Sequence, residues 1–261
     1  MYSFMLRLKP FRSHRQTVFA TAVAILSLSG LSSAAHAQDG WQFTPYLRAD
    51  LGYSSTVDDD GDLVDASTQP ERDTLNMSPN DGARYQIGAG LKLNDYLRTD
   101  ITLSYRDSLT EVGAYYDPDG LVKSGNRLNG GAFKTSNWSA MLNLYVDPLR
   151  AAGIDTGAFS PYLQGGIGWA RNKTDELVFS ADGTKIPGDT HNDLAWQVGA
   201  GVSYAITSQW KLDLSYRFID MGEARSKSYG VQANGNQIAL EREARFDLQA
   251  HEVLVGLQYQ F

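Results

Sequence analysis

Every second residue is apolar along stretch after stretch of this chain, and no other feature constrains its fold as much. Trp41, Phe43, Pro45, Leu47, Ala49, Leu51 and Tyr53 share one parity; Gln42, Thr44, Tyr46, Arg48, Asp50 and Gly52 share the other. Successive side chains of a strand point to opposite faces, so this stretch predicts a strand with one apolar wall and one polar wall. The same alternation recurs from Tyr85 to Leu93, Leu97 to Tyr105, Trp138 to Val146 and Phe159 to Trp169. It returns from Leu194 to Tyr204, Trp210 to Phe218 and Val253 to Phe261, for eight segments in all. Phe133 falls out of phase before Trp138, as do Phe246 and Leu248 before His251, and a β-bulge is expected at each place.

The connections alternate in length. Residues 55–82, 107–130, 172–191 and 219–246 are long, polar and rich in Asp, Gly, Asn and Ser, whereas 94–96 and 206–209 are tight and 147–158 is intermediate. Long loops at one end and short turns at the other are the pattern of outer-membrane barrels, whose turns face the periplasm. In hydrocarbon every backbone N–H and C=O needs an internal partner, so a sheet survives there only when it is closed. The polar parity is rich in glycine and charge, the reverse of a soluble core. The apolar parity is Leu, Val, Ile and Ala in mid-segment with aromatic rings toward the ends. Trp41, Phe43, Trp210, Tyr259 and Phe261 are expected to form a periplasmic girdle, and Tyr53, Tyr85, Tyr105, Trp138, Trp169, Trp196 and Phe218 an outer one. The fold expected is all-β: an eight-stranded antiparallel up-and-down transmembrane β-barrel. The competing reading is a soluble up-and-down barrel with its apolar face turned inward around a ligand, as in lipocalins.

The first 37 residues have their own character. Arg7, Lys9, Arg12 and Arg15 precede an apolar run from Thr17 to Leu28, and small residues lead to Ala35-His36-Ala37. That is the pattern of a cleaved export signal, residues 1–37, leaving a barrel domain at 38–261. Its removal takes four positive charges from a chain whose formal charge is −7. An acidic balance without a basic block argues against nucleic acid as a partner. The absence of cysteine excludes disulfides, thiolate metal sites and a cysteine nucleophile.

Little in the sequence points to catalysis. After the signal only His191 and His251 remain, the serine nearest His251 in sequence is Ser228, and no nucleophile-elbow pattern or metal-binding histidine pair occurs. Asp58-Asp59-Asp60-Gly61-Asp62 fits a calcium loop poorly, because Thr56 and Ser67 stand where ligands belong, and it reads as a solvated acidic loop. Asp117-Pro118-Asp119-Gly120 and Ala181-Asp182-Gly183 read as turns. No catalytic residue, metal or cofactor is expected; a lipid-modifying enzyme is the least favoured class.

The stretch His251-Glu252-Val253-Leu254-Val255-Gly256-Leu257-Gln258-Tyr259-Gln260-Phe261 resembles the terminal strand of Gram-negative outer-membrane β-barrel proteins. Pro161 to Gly168, Trp196 to Gly201 and Leu214 to Gly222 are similar to segments of the small porin-family, opacity-type surface proteins. The resemblance implies an OmpA-like barrel without a periplasmic domain, located in the cell outer membrane. It also implies that Gly256, Tyr259 and Phe261 form the signal read by the barrel-assembly machinery; Leu254 departs from that pattern, which usually has a polar residue there. The partners so implied are outer-membrane lipid and lipopolysaccharide, the assembly machinery, and a host or matrix ligand at the loops.

The interior of such a barrel is about wide enough for its own side chains. Inward charges are expected at Arg48, Asp50, Arg84, Lys92, Arg98, Asp100, Arg106, Lys211, Asp213, Arg217 and Glu252. Charges so confined must pair or hold water. Arg48 and Glu252, on the first and last segments, are expected to form an ion pair that plugs or gates the bore; the alternative is that the charges only satisfy one another. Inward glycines, among them Gly88, Gly166 and Gly199, leave a narrow pore open as a reading and equally suit tight coiling. The expected role is structural or surface interaction, with a small-solute or ion channel as the alternative.

Overall fold

A computed structural model describes residues 43–57, 61–62, 74–78, 82–115, 128–179, 185–239 and 245–261. The expected export signal, Trp41 and the acidic residues Asp58 to Asp60 lie outside the described residues, as do the turn signals at 117–120 and 181–183.

Eight long strands follow one another: β1 Thr44–Thr56, β2 Gly82–Lys92, β3 Leu97–Tyr115, β4 Leu128–Val146, β5 Phe159–Thr174, β6 Thr190–Ala205, β7 Trp210–Arg225 and β8 Arg245–Gln260. Each pairs antiparallel with its neighbour in sequence, and β8 closes on β1 from Tyr46↔Gln260 to Thr56↔Ala250. The register is staggered. Stepping from Tyr46 through Gly90, Asp100, Asn143, Gly166, Gln197, Ile219 and Ala250 returns to β1 at Thr56, ten residues further on. With strands about 4.8 Å apart and about 3.3 Å per residue, that offset gives a tilt of about 40° and a radius of about 8 Å.

The apolar parity faces outward. Ile101 is 65% exposed and its chain neighbour Asp100 is 2% exposed. Leu51, Ile87, Leu142, Ile167, Leu214 and Val255 are likewise on the outer wall, while Arg48, Arg84, Arg106, Asp213, Arg217 and Glu252 are buried. A soluble barrel would invert this, so the lipocalin-like reading fails. Rings cluster on the outer wall at both edges of the apolar band: Trp210 lies 4.8 Å from Tyr259 at the turn side, and Tyr105 lies 4.8 Å from Trp138 at the loop side. No helix among the described residues is long and apolar enough to cross a membrane; strands make the crossing.

Side chains set the short turns. Asn94 Oδ1 accepts from the amides of Tyr96 and Leu97 at 3.0 and 2.8 Å, and Thr207 Oγ1 accepts from those of Gln209 and Trp210 at 3.2 and 3.0 Å. Between β4 and β5 a one-turn helix, α1 Pro148–Ala151, begins at Asp147, whose carboxylate accepts from Leu149 and Arg150.

The strands run further on the loop side than the alternation predicts. β3 and β4 each reach 19 residues, so much of the expected 107–130 loop is sheet. About 9–11 tilted residues suffice to cross the hydrocarbon. Beyond it both faces of a strand meet water, and the period-two signal has no reason to persist. Among the described residues six short strands extend the sheet there, including Thr74–Ser78 on β3, Leu177–Phe179 on β4 and the pair Tyr229–Val231 with Gln237–Ala239.

Both expected bulges occur on the partner strand instead. The register shifts between Arg106 and Leu109 of β3 opposite β4, and between Asp220 and Glu223 of β7 opposite β8. Gly222, with φ +72°, is the residue that turns β7. Leu248 is therefore not out of phase: it points inward, where the lumen itself turns apolar.

Candidate functional site

Three layers of side chains fill the lumen. The layer nearest the short turns is acidic. Arg48 on β1 gives Asp50 a two-pronged pair, Nη2 to Oδ1 at 2.7 Å and Nε to Oδ2 at 2.9 Å, and reaches Asp213 of β7 at 3.3 Å and Asp100 of β3 at 3.5 Å. Arg98 donates to Asp213 at 3.3 Å and to Gln258 at 2.6 Å. Three phenols complete the layer: Tyr46 donates to Asp100 at 3.0 Å, Tyr145 to Asp100 at 3.1 Å and Tyr162 to Asp213 at 2.6 Å.

The middle layer is basic. Glu252 on β8 is the anion of Arg84, Arg106 and Arg217, with Arg106 Nε at 2.7 Å and Arg217 Nε at 2.8 Å. Ser54 donates to the same carboxylate at 3.1 Å. Arg106 also donates to Asn137 at 2.6 Å and Ser139 at 2.9 Å. Gln86 joins the two layers, because its Nε2 donates to Asp50 at 2.6 Å while its Oε1 accepts from Arg84 at 2.7 Å and Arg217 at 3.0 Å. Buried charges are tolerable only when paired and hydrogen-bonded, and this lattice supplies that condition at nearly every head group.

The third layer, toward the loops, is apolar. Met141, Ala170, Ala195, Ile219, Met221, Leu248 and Ala250 pack together, and Ile186 from the β5–β6 connection joins them. Nearby, Lys227 pairs with Asp189 at 2.5 Å, and Gly188 bridges Ser226, tying the β5–β6 and β7–β8 connections together.

Nine of the eleven charge positions read from the sequence thus fall into two sets, Arg48, Asp50, Arg98, Asp100 and Asp213 in one, Arg84, Arg106, Arg217 and Glu252 in the other; Lys92 and Lys211 stand at the short-turn mouth. The expected Arg48–Glu252 pair does not form. Strand closure sets Arg48 opposite Gln258 and Ser54 opposite Glu252. Six residues of backbone, about 20 Å along β1, therefore separate Arg48 from the position that faces Glu252. The inward glycines do not open a bore either. A Cβ on Gly90 would lie 2.6 Å from the Tyr46 ring, and one on Gly201 would lie 2.5 Å from that of Tyr162. Those rings take the space. Tyr46, Tyr145, Tyr162 and Gln86 stand on the polar parity in the sequence but were not singled out as lumen residues, although a large inward residue beside an inward glycine was the available signal.

The remaining candidates sit elsewhere. Gly256 faces the lumen against Asp50, and Leu254 fills it above Gly52. Tyr259 is outward, edge-on to Phe261 at 5.1 Å. His251 is outward too, joined to Tyr216 by a 2.7 Å hydrogen bond, and His191 lies 3.1 Å from Asp193. Among the described residues no group of three or more His, Asp and Glu is placed to hold a metal ion.

Comparison with known proteins agrees with this architecture. Residues 23–261 match the family described as outer membrane protein beta-barrel domain. An uncharacterized protein of Brucella melitensis is 32% identical over 257 residues, covering 85% of each chain. A Rickettsia conorii protein named as a candidate adhesin is 27% identical over 195 residues, 70% of each chain. Among solved structures, the outer membrane protein OprG of Pseudomonas aeruginosa superposes with a TM-score of 0.52 at 14% identity, over 84% of this chain and 97% of that one. The chain belongs to the outer membrane protein beta-barrel domain family, and its place is the outer membrane.

Proposed function

We propose that this protein is a non-conducting barrel whose work is done at the cell surface by its loop-side sheet. The observation that carries the reading is the filled lumen: Arg84, Arg106, Arg217, Glu252, Tyr46 and Tyr145 occupy the bore and are each at most 1% exposed. A solute would have to break several charge-assisted hydrogen bonds at once, at about 1.5–3 kcal/mol each. On the loop side, by contrast, β3 and β4 carry paired backbone well past the hydrocarbon, as a platform for contact with a host or matrix ligand. The relative named as a candidate adhesin fits this role. In the same reading Gly256, Tyr259 and Phe261 serve recognition by the assembly machinery.

The test has two arms. In planar bilayers the purified, refolded chain is expected to give no conductance steps. Bacteria displaying it should bind cultured epithelial cells, and should lose that binding when 116–127 is replaced by a two-residue turn. Steady single-channel current, with cell binding indifferent to the loop, would establish the pore reading instead.

A further inference from the structure

At the short-turn mouth of the lumen, space and positive charge coincide. A cavity of about 50 Å³ opens there. A water needs about 10–15 Å³ of such space, so there is room for one small polyatomic group. Arg98 forms the floor, its guanidinium carbon 4.4 Å from the centre of the Tyr145 ring and 4.6 Å from that of Tyr162. Stacked between two rings and spent on Asp213 and Gln258, it stops the cavity from continuing inward.

The walls are cationic. Lys92 of β2, Arg150 of α1 and Lys211 of β7 line the cavity with Arg98, against two lining carboxylates, Asp95 and Asp147. Lys92 is paired with Asp95 at 2.7 Å, and Arg150 approaches Asp147 at 3.5 Å while donating to the Gly157 carbonyl at 3.0 Å. The Arg150 atom that faces Asp147 is Nε, which is buried and makes no hydrogen bond. Lys211 stands opposite Gln258 on β8, half-buried and inward, and has no ion-pair partner among the described residues. A chain of formal charge −7 has no compositional reason to gather four cations at one mouth. Low-dielectric walls around charges of one sign concentrate ions of the other.

We infer that the periplasmic mouth of this barrel binds an oxyanion, a phosphate group or a carboxylate, held by Lys211 with Lys92 and Arg150. Ser160, also in the lining, supplies a neutral donor. The site faces the compartment opposite to the proposed surface platform and does not depend on it.

Calorimetric titration of the full refolded chain, in a phosphorus-free detergent at constant chloride, tests the inference with inorganic phosphate in one arm and acetate in the other. Saturable one-to-one binding in either arm is expected. K211M should weaken it at least tenfold, K211R should stay within threefold of wild type, and K173M, on the far side of the barrel, should change nothing. The mobility of unheated samples on gels reports that each variant is folded, and K92M provides a second reading if K211M is not. No saturable heat in either arm, or equal affinity in K211M and wild type, overturns the assignment.

Discussion

Glu252 accepts from Arg106 at 2.7 Å across the lumen, joining the last strand to the third although 146 residues separate the two. The same carboxylate serves Arg84 and Arg217, so three guanidiniums share one buried anion. Replacing Glu252 by Gln would strand them. Removing one member of a buried ion cluster costs about 3–5 kcal/mol. E252Q is expected to lose that much folding free energy in urea titrations in lipid vesicles. E176Q, which breaks the exposed pair of Glu176 with Lys185, should cost about 0–1 kcal/mol. Equal losses in the two variants would mean that the lumen charges are individually dispensable.

Leu214 is on the outer wall of β7, midway between the rings of Trp210 and Phe218. Arginine at the bilayer midplane of a barrel costs about 2–4 kcal/mol. L214R should pay close to that figure in vesicles, while S208R, at an exposed position in the turn before β7, should be near neutral. If L214R folds as readily as wild type, the outer wall does not face lipid.

Gly222 lets β7 bulge, so that Met221 and Ala224 both point inward although three positions apart. Alanine there would hold a left-handed backbone and bring its Cβ within 2.6 Å of Asp193 Cγ. Such strain costs about 1–3 kcal/mol. Combining G222A with D193G, which removes the Asp193 Cβ that would lie 2.3 Å from the new one, should relieve the steric part and leave the backbone part. Full recovery in the double variant would place the whole cost in the contact.

The Lys227–Asp189 pair gives the loop side a dependence on acidity. Burial alone would raise the Asp189 carboxyl, but hydrogen bonds from the Lys227 ammonium and the Thr190 amide outweigh it and hold the group below its usual range. A carboxyl lowered by folding stabilises fully above its unfolded pKa, about 3.9, and that contribution disappears as pH falls through the lowered value. The pair is part-exposed, so its worth is about 0.2–1 kcal/mol. A spin label at Ser228 should be restrained at about pH 7 and freer at about pH 2, and K227M should make it freer at both. A spectrum unchanged by acid would remove the pair from the account of loop docking.

The outer wall was legible in the sequence because lipid demands apolar side chains wherever it touches the sheet: Leu142, Ile167 and Leu214 alternate with Asn143, Gly166 and Asp213, and no soluble environment produces that inversion over eight strands. Parity told which face each charge takes and nothing about its depth. Depth depends on the ten-residue stagger of closure, which is why Arg48 and Glu252 were matched at one level and stand at two. Past the hydrocarbon the code lapses. Residues such as Glu111 and Val112 sit in β3 with no alternation to announce it. The apolar third layer was hidden for a related reason: Ile219, Met221 and Leu248 face inward, and a rule that assigns inward to polar ends the strand at Phe218 and puts Leu248 out of phase.

Strand β8 is bonded along both edges, to β7 and, at eleven positions, to β1. Take it away and two ribbons of amide groups lie bare at once, in a solvent that offers them nothing. Insertion in oil is accordingly a concerted event. Until the final hairpin zips shut, something other than the polypeptide has to shield those seams, and a chain delayed at that point is far more vulnerable than one that has not yet begun.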